Sequence, residues 1–112
     1  MYDTLTGRRK KLPENVRIFL CGSTVYDDLH VGHARMLLFY DLVLRYLKHN
    51  GAKVTVLVNV TDVDPKISSR AKETGASPQI VTDVFIEKML ADCLRLQIDG
   101  FVFAMVSGYV DF

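Results

Sequence analysis

VRIFLCGSTVYDDLHVGHARMLLFYDLVLRYLKHNGAKVTVLVNV, residues 16–60, decides the fold. VRIFLCG, residues 16–22, is a short apolar run with β-branched and aromatic members that ends at Gly22, which reads as a buried strand followed by a loop. From Gly32 to Asn50 the chain is apolar on more than one face. That pattern predicts a buried helix, with Gly51 as its C-terminal stop. VTVLVNV, residues 54–60, is a continuous valine-rich run, as expected of a central strand of a parallel sheet covered on both faces. Strand, helix and strand make a βαβ unit, whose crossover is almost always right-handed. The expected fold class is α/β: a Rossmann-like parallel sheet with flanking helices.

Outside this unit the signals are shorter. TDVDPKISSRAKETG, residues 61–75, predicts a loop entering a short polar helix. Ser77 and Pro78 supply an N-cap and a first-turn proline for a last helix over residues 78–96. Its apolar positions Val81, Val84, Phe85, Met89 and Leu96 fall mostly at helical spacings. Residues 1–15 are polar. Their basic run, Arg8, Arg9, Lys10 and Lys11, reads as a solvated face, and Pro13 with Asn15 marks a turn. DGFVFAMVSGYVDF, residues 99–112, is almost wholly apolar or small, so it suits either one more strand or a tail that closes no domain.

The totals set bounds. At 112 residues the chain suits one small domain, and 49% apolar against 24% charged residues suits a globular one. A net charge of +1 points to no strongly charged partner. Two cysteines, Cys21 and Cys93, are too few for a disulfide framework and suit a reducing compartment. Asp41, Arg45 and Lys48 interrupt the apolar stretches, so none reads as a membrane span. The N-terminus carries basic residues but no apolar core of a secretory signal, and a cytoplasmic location is expected.

Reactive side chains crowd into residues 21–35, CGSTVYDDLHVGHAR. In an open α/β sheet, ligands bind beyond the carboxyl ends of the strands, which is where Cys21 to His33 falls. The helix N-terminus offers unpaired N–H groups and a positive dipole end, a seat for phosphate. His30 and His33 sit three apart across that terminus, both placed to donate to one anion. Gly32 is expected to let the backbone approach closely, because a β-carbon would collide with the ligand. Together they suggest a nucleoside triphosphate or a phosphate leaving group. The plainer alternative is a loop with two surface histidines and a turn glycine. Cys21 suits a metal ligand, a nucleophile or core packing. Zinc takes three or four ligands, and the only local candidates are the histidines suited to phosphate, so a complete zinc site is not expected. Cys93 reads as core. Asp27 and Asp28 are candidates to orient a histidine or cap the helix, and Asp62 and Asp64 for the rim of the same cleft.

Three blocks together resemble the N-terminal part of the cysteinyl-tRNA synthetases, a class I aminoacyl-tRNA synthetase family. They are YDTLTGRRKKL (2–12), CGSTVYDDLHVGHAR (21–35), whose H-x-G-H looks like the class I ATP motif, and VNVTDVDPKI (58–67) with RAKETG (70–75) after it. They come in the family's order and spacing, over residues 2–96. The resemblance implies that His30, Gly32 and His33, with Thr24, bind ATP while the cysteine carboxylate attacks the α-phosphorus, His30 and His33 being the catalytic pair. Cysteinyl-adenylate and pyrophosphate follow, then transfer to tRNA(Cys). It implies an amino-acid pocket of Cys21, Gly22, Asn59 and Thr61, with Cys21 a zinc ligand. Zinc selects the substrate thiolate because soft sulfur suits it and serine does not.

Two departures stand out. Pro65 replaces the family's usual aspartate and is expected to bend the loop after Asp64. Beyond residue 97 no resemblance is visible, and the family's other zinc ligands and its K-M-S-K-S loop are not found. Residues 1–98 are thus expected to be the N-terminal half of a Rossmann-like catalytic domain. Residues 99–112 are expected to be an unmatched apolar tail, as a truncated, alternatively spliced or frameshifted product would leave. Alone, the chain is expected not to be a competent ligase, and a second polypeptide is an expected partner. Rival readings are a related cysteine ligase acting on an amino sugar, a small H-x-G-H nucleotidyltransferase, and a non-catalytic nucleotide- or partner-binding fragment.

Overall fold

The computed structural model describes residues 1–109. It begins with a small antiparallel hairpin of β1 (Tyr2–Asp3) and β2 (Arg8–Arg9), turned at Gly7 with φ +64°. Lys10 pairs with Asp3 across its base. Two-residue strands carry no periodicity, so this hairpin could not be read from the pattern of apolar residues. The chain then runs through β3 (Asn15–Leu20), α1 (Val31–His49), β4 (Lys53–Val60), α2 (Pro65–Thr74), α3 (Pro78–Arg95), β5 (Phe101–Met105) and a 3-10 turn, Val106–Tyr109. Asn15, expected in a turn, opens β3.

The three longer strands form one parallel sheet in the order β3–β4–β5. Val16 lies opposite Val54 and Leu20 opposite Val58; Val56 lies opposite Phe101 and Val60 opposite Met105. The expected α/β fold with a valine-rich central strand is therefore present. Within the stretch 99–112, residues 101–105 form a strand, and residues 110–112 lie outside the described residues.

The side chains of β4 alternate, as strand geometry requires. Val56, Val58 and Val60 are buried on one face. Leu20 and Leu44 of α1 pack against Val56 and Val58. Ile67 and Ala71 of α2 and Val81 and Met89 of α3 pack with Val60 and Val25. Leu37, Cys93 and Ile98 fill the gap between α1 and α3, so Cys93 is core and its thiol is pushed up by burial.

The expectation that β4 is covered on both faces is corrected. All three helices lie on one face, and on the other Phe19 is 68% and Val102 51% exposed. The cause is topological. The strand order advances in one direction, so crossovers of one hand deposit every helix on the same side.

Local chemistry fixes the helix ends. Asp64 accepts from the Lys66 N–H at 2.8 Å as N-cap of α2, with Pro65 in the first turn and Gly75 closing it at φ 68°. Proline is preferred there because its missing N–H has no partner in a first turn. Pro65 therefore starts the helix rather than bending the loop. Ser77 caps α3 in the same way. At the far end of α1, Arg45 binds Asp41 at 2.7 Å and the Gln97 carbonyl at 2.7 Å. That ties α1 to the turn entering β5. No helix among the described residues is long and apolar enough to cross a membrane.

Leu44 is 2% exposed at the centre of the α1–sheet contact. Leu44→Ala is expected to cost on the order of 2–5 kcal/mol, read as a shift of the urea midpoint. A shift equivalent to less than about 1 kcal/mol would show that α1 is not docked as described.

Candidate functional site

The carboxyl ends of β3 and β4 are pinched together. The Gly22 N–H donates to Asn59 Oδ1 at 2.7 Å. A β-carbon on Gly22 would lie 1.7 Å from the Asn59 carbonyl oxygen, so only glycine permits this approach. Beyond it, Thr24 bridges to Thr61 in parallel register. The Thr61 N–H donates to the Ser23 carbonyl and the Val25 N–H to the Thr61 carbonyl, both at 3.1 Å. The loop from Gly22 to Val25 thus continues the β3–β4 pairing and buries Val25 beneath it.

This loop delivers His30 to the start of α1, where the two histidines cap the helix. His30 Nδ1 accepts from the Gly32 N–H at 3.0 Å, and His33 Nδ1 accepts from the His30 N–H at 3.3 Å. Here histidines play both parts of a reciprocal capping box, the parts usually taken by Ser or Thr and by Glu or Gln. The rings stack with centroids 3.9 Å apart. Because each Nδ1 accepts, each imidazole is neutral with its proton on Nε2. Neither Nε2 has a hydrogen-bond partner among the described residues, so the two N–H groups are free to donate. Burial, and then the neighbouring His30, hold His33 below its ordinary value of 6.5.

Gly32 has a different role from the expected one. A β-carbon there would meet His30 Cε1 at 2.8 Å and Nδ1 at 2.9 Å. Glycine makes room for the capping imidazole rather than for a ligand.

Gly22, Thr24, His30 and His33 line one cavity of about 350 Å³, together with Tyr26 and Lys66. Gly32 lies behind the His30 ring. Asn59 and Thr61 are held by the strand pairing. Asn59 serves as the brace on Gly22, with Nδ2 3.5 Å from Thr61 Oγ1. Tyr26 and Lys66 were not singled out from the sequence. The Lys66 Nζ sits 5.3 Å from the centroid of the Tyr26 ring. A more open groove of about 650 Å³ along the start of α2 brings no histidine with it.

The aspartates do other work than expected. Asp28 pairs with Lys88 of α3 at 2.8 Å and Asp27 with Arg70 of α2 at 3.8 Å, so neither orients a histidine nor caps α1. Asp64 caps α2. Asp62 accepts from both the backbone N–H and the hydroxyl of Ser107. Both Asp62 and Asp64 line the open groove rather than the histidine cavity.

Cys21 is exposed at the end of β3, its Sγ 3.9 Å from the Gly22 carbonyl. Among the described residues no three His, Cys, Asp or Glu side chains converge on a point, and both histidine Nδ1 atoms are committed to the cap. These residues do not by themselves fit the zinc that the resemblance implies.

A parallel sheet whose first crossover helix is capped by H-x-G-H, with a cavity at the strands' carboxyl ends, is the arrangement that the resemblance to the class I aminoacyl-tRNA synthetases implies. Residues 8–111 match the family described as tRNA synthetases class I (C) catalytic domain, and the chain belongs to that family. The match runs through most of the stretch expected to be an unmatched tail. The chain is 40% identical to a cysteine–tRNA ligase of Thermoplasma volcanium over 99% of this chain and 26% of that protein. It is 46% identical to one of Methylococcus capsulatus over 82% of this chain and 21% of that protein. For one of Pyrococcus horikoshii the figures are 43%, 88% and 21%. The chain thus spans between a fifth and about a quarter of the length of these curated relatives.

The pinch and the cap each yield a test. Gly22→Ala is expected to destabilise by about 1–3 kcal/mol or more, since the clash is with backbone; an unchanged thermal midpoint would refute the close approach. His33 is expected to titrate with a midpoint below 6.5 by NMR. Its neutral form is favoured in the folded state. Its contribution to stability is therefore full above 6.5 and is lost as pH falls through the lowered value. A midpoint at or above 6.5 would mean that the cap does not hold the ring neutral.

Proposed function

We propose that this chain forms the nucleotide- and cysteine-facing half of a cysteinyl-tRNA synthetase catalytic domain. The observation that carries it is the histidine cap, which presents two neutral Nε2–H donors at a helix N-terminus within one cavity. Neutral donors suit the phosphates of ATP because they hydrogen-bond the oxygens as charge shifts onto the leaving pyrophosphate, without first losing a tight ion pair. In this reading His30 and His33 hold the phosphates, Gly32 gives the His30 ring its place, Thr24 lines their path, and the cysteine carboxylate attacks the α-phosphorus. Cysteinyl-adenylate forms, pyrophosphate leaves, and the cysteinyl group passes to tRNA(Cys). Gly22, Asn59 and Thr61, locked together at the strand ends, form the floor for the amino acid, with Cys21 at its edge. As a zinc donor, Cys21 acts only with donors that lie outside the described residues. A cytoplasmic site of action is part of this reading.

Adenylyl transfer needs charge stabilisation from several sides of the phosphates. This chain provides one side. A second polypeptide, or further residues of the same protein, docking on the bare sheet face where Phe19 and Val102 are exposed would complete it.

The full chain is expected to bind ATP in an equilibrium titration and to show no cysteine-dependent ATP–pyrophosphate exchange. His30→Ala and His33→Ala are expected to weaken ATP binding about 10–100-fold each, the range for hydrogen bonds to a charged group. Undiminished binding in both variants would overturn the assignment of the cavity. Robust exchange by the chain alone would overturn the claim that it is only one side of the site.

A further inference from the structure

We propose that Lys66 is the cationic phosphate ligand of the histidine cavity, taking a phosphate group that extends from the histidines toward α2. This rests on the assignment of the cavity to a phosphate-bearing ligand. No motif of the resemblance gave Lys66 a role, and in sequence it reads as one more charge on a polar helix.

The charge balance of the cavity selects Lys66. Two aspartates face the cavity, and both are already compensated: Asp28 by Lys88 at 2.8 Å and Asp27 by Arg70 at 3.8 Å. The histidines are neutral through their cap. Lys66 alone of the charged groups lining the cavity makes no ion pair among the described residues. An unpaired ammonium facing the same cavity as neutral N–H donors gives it the character of an anion site.

The position of Lys66 runs against local helix preference. It stands in the first turn of α2, where the positive end of the helix dipole disfavours a cation. Asp64 offsets part of that field but forms its hydrogen bond with the backbone, not with the ammonium. Residues that break a local rule without a local gain concentrate at functional sites. The ammonium is held over the Tyr26 ring at 5.3 Å, a contact that positions the charge without neutralising it. Tyr26 and Lys66 also line the adjoining groove of about 500 Å³ that leads to Ser69 and Arg70. A polyphosphate tail, or the phosphodiester of an RNA 3′ end, leaving the histidines in that direction passes the ammonium first.

The test uses the full chain, with Lys66→Gln and Lys66→Arg beside it. Each is titrated with adenosine, AMP, ATP and a short RNA ending in CCA. Removing the ammonium keeps the Asp64 cap, so the thermal midpoint of Lys66→Gln is expected to be unchanged or raised. Lys66→Gln is expected to bind ATP about tenfold or more weakly, AMP less affected and adenosine unaffected, with Lys66→Arg retaining most of the ATP affinity. A loss confined to the RNA supports the same phosphate contact and assigns it to the 3′ end. Equal affinity of wild type and Lys66→Gln for every phosphate-bearing probe overturns the role of Lys66 alone. Failure of the wild-type chain to bind any of them overturns the assignment of the cavity, and the role of Lys66 with it.

Discussion

The contact between the Gly22 amide and the Asn59 side chain, 2.7 Å long, is the constraint on which the rest of the site depends. It requires a residue without a β-carbon at position 22 and a short amide side chain at the end of β4. Given both, the chain leaving β3 cannot splay away from the sheet. It stays paired with β4 as far as Thr24 and Thr61, and it buries Val25 on the way. The loop that follows is short, so the start of α1 falls directly over the carboxyl ends of the two strands. Side-chain packing on the sheet holds the body of α1, through Leu37 and Leu44, but it does not set where the helix begins. The pinch does.

At that beginning, structure and chemistry share the same atoms. A helix N-terminus leaves backbone N–H groups without partners, and most proteins satisfy some of them with a hydroxyl or carboxylate. Here the acceptors are imidazole nitrogens. A carboxylate cap would place negative charge at the cavity wall; a hydroxyl cap would satisfy the backbone but offer less reach. Two imidazoles satisfy the backbone through Nδ1 and leave Nε2–H free to donate. The cap also fixes the tautomer, because protonating either Nδ1 would set a donor against a donor. The depression of His33 by burial agrees in sign. Gly32 belongs to the same device, since any side chain there would push the His30 ring out of the cap.

Much of this was legible in the sequence, for reasons that also mark where legibility stops. The strands over 15–20 and 53–60 and the helix over 31–49 announce themselves through long apolar runs bounded by glycine or polar loops. H-x-G-H beside them locates the cavity. The coverage of the sheet was not legible, because it depends on the direction in which strands are added, which no single element encodes. The true role of Gly32 was hidden, since its crowding neighbour is His30, two residues away, and only the capped rotamer brings the ring there. Asp27 and Asp28 looked like helper groups for histidine; their partners, Arg70 and Lys88, are 43 and 60 residues distant and reach them only once α2 and α3 have packed. Lys66 was invisible for the same reason: its cavity-facing position exists only when Tyr26 lies beneath it.

The two halves of the implied chemistry differ in how they depend on chain length. A phosphate seat made from a helix start and an i, i+3 pair is local. Once the helix forms and the pinch holds, both histidine Nε2–H groups are in place, and they come from one stretch of four residues. A tetrahedral metal site is not local. Its donors converge from separate segments, and one cysteine at a strand end supplies a single corner. The described residues accordingly contain the whole of the histidine cap and no converging group of three metal-ligating side chains. In the proposed reading nucleotide affinity and amino-acid selection are separable on this scaffold, because the two histidines are positioned by β3, β4 and α1, with Lys66 of α2 beside them. The groups that would choose cysteine over serine require a structure assembled around them.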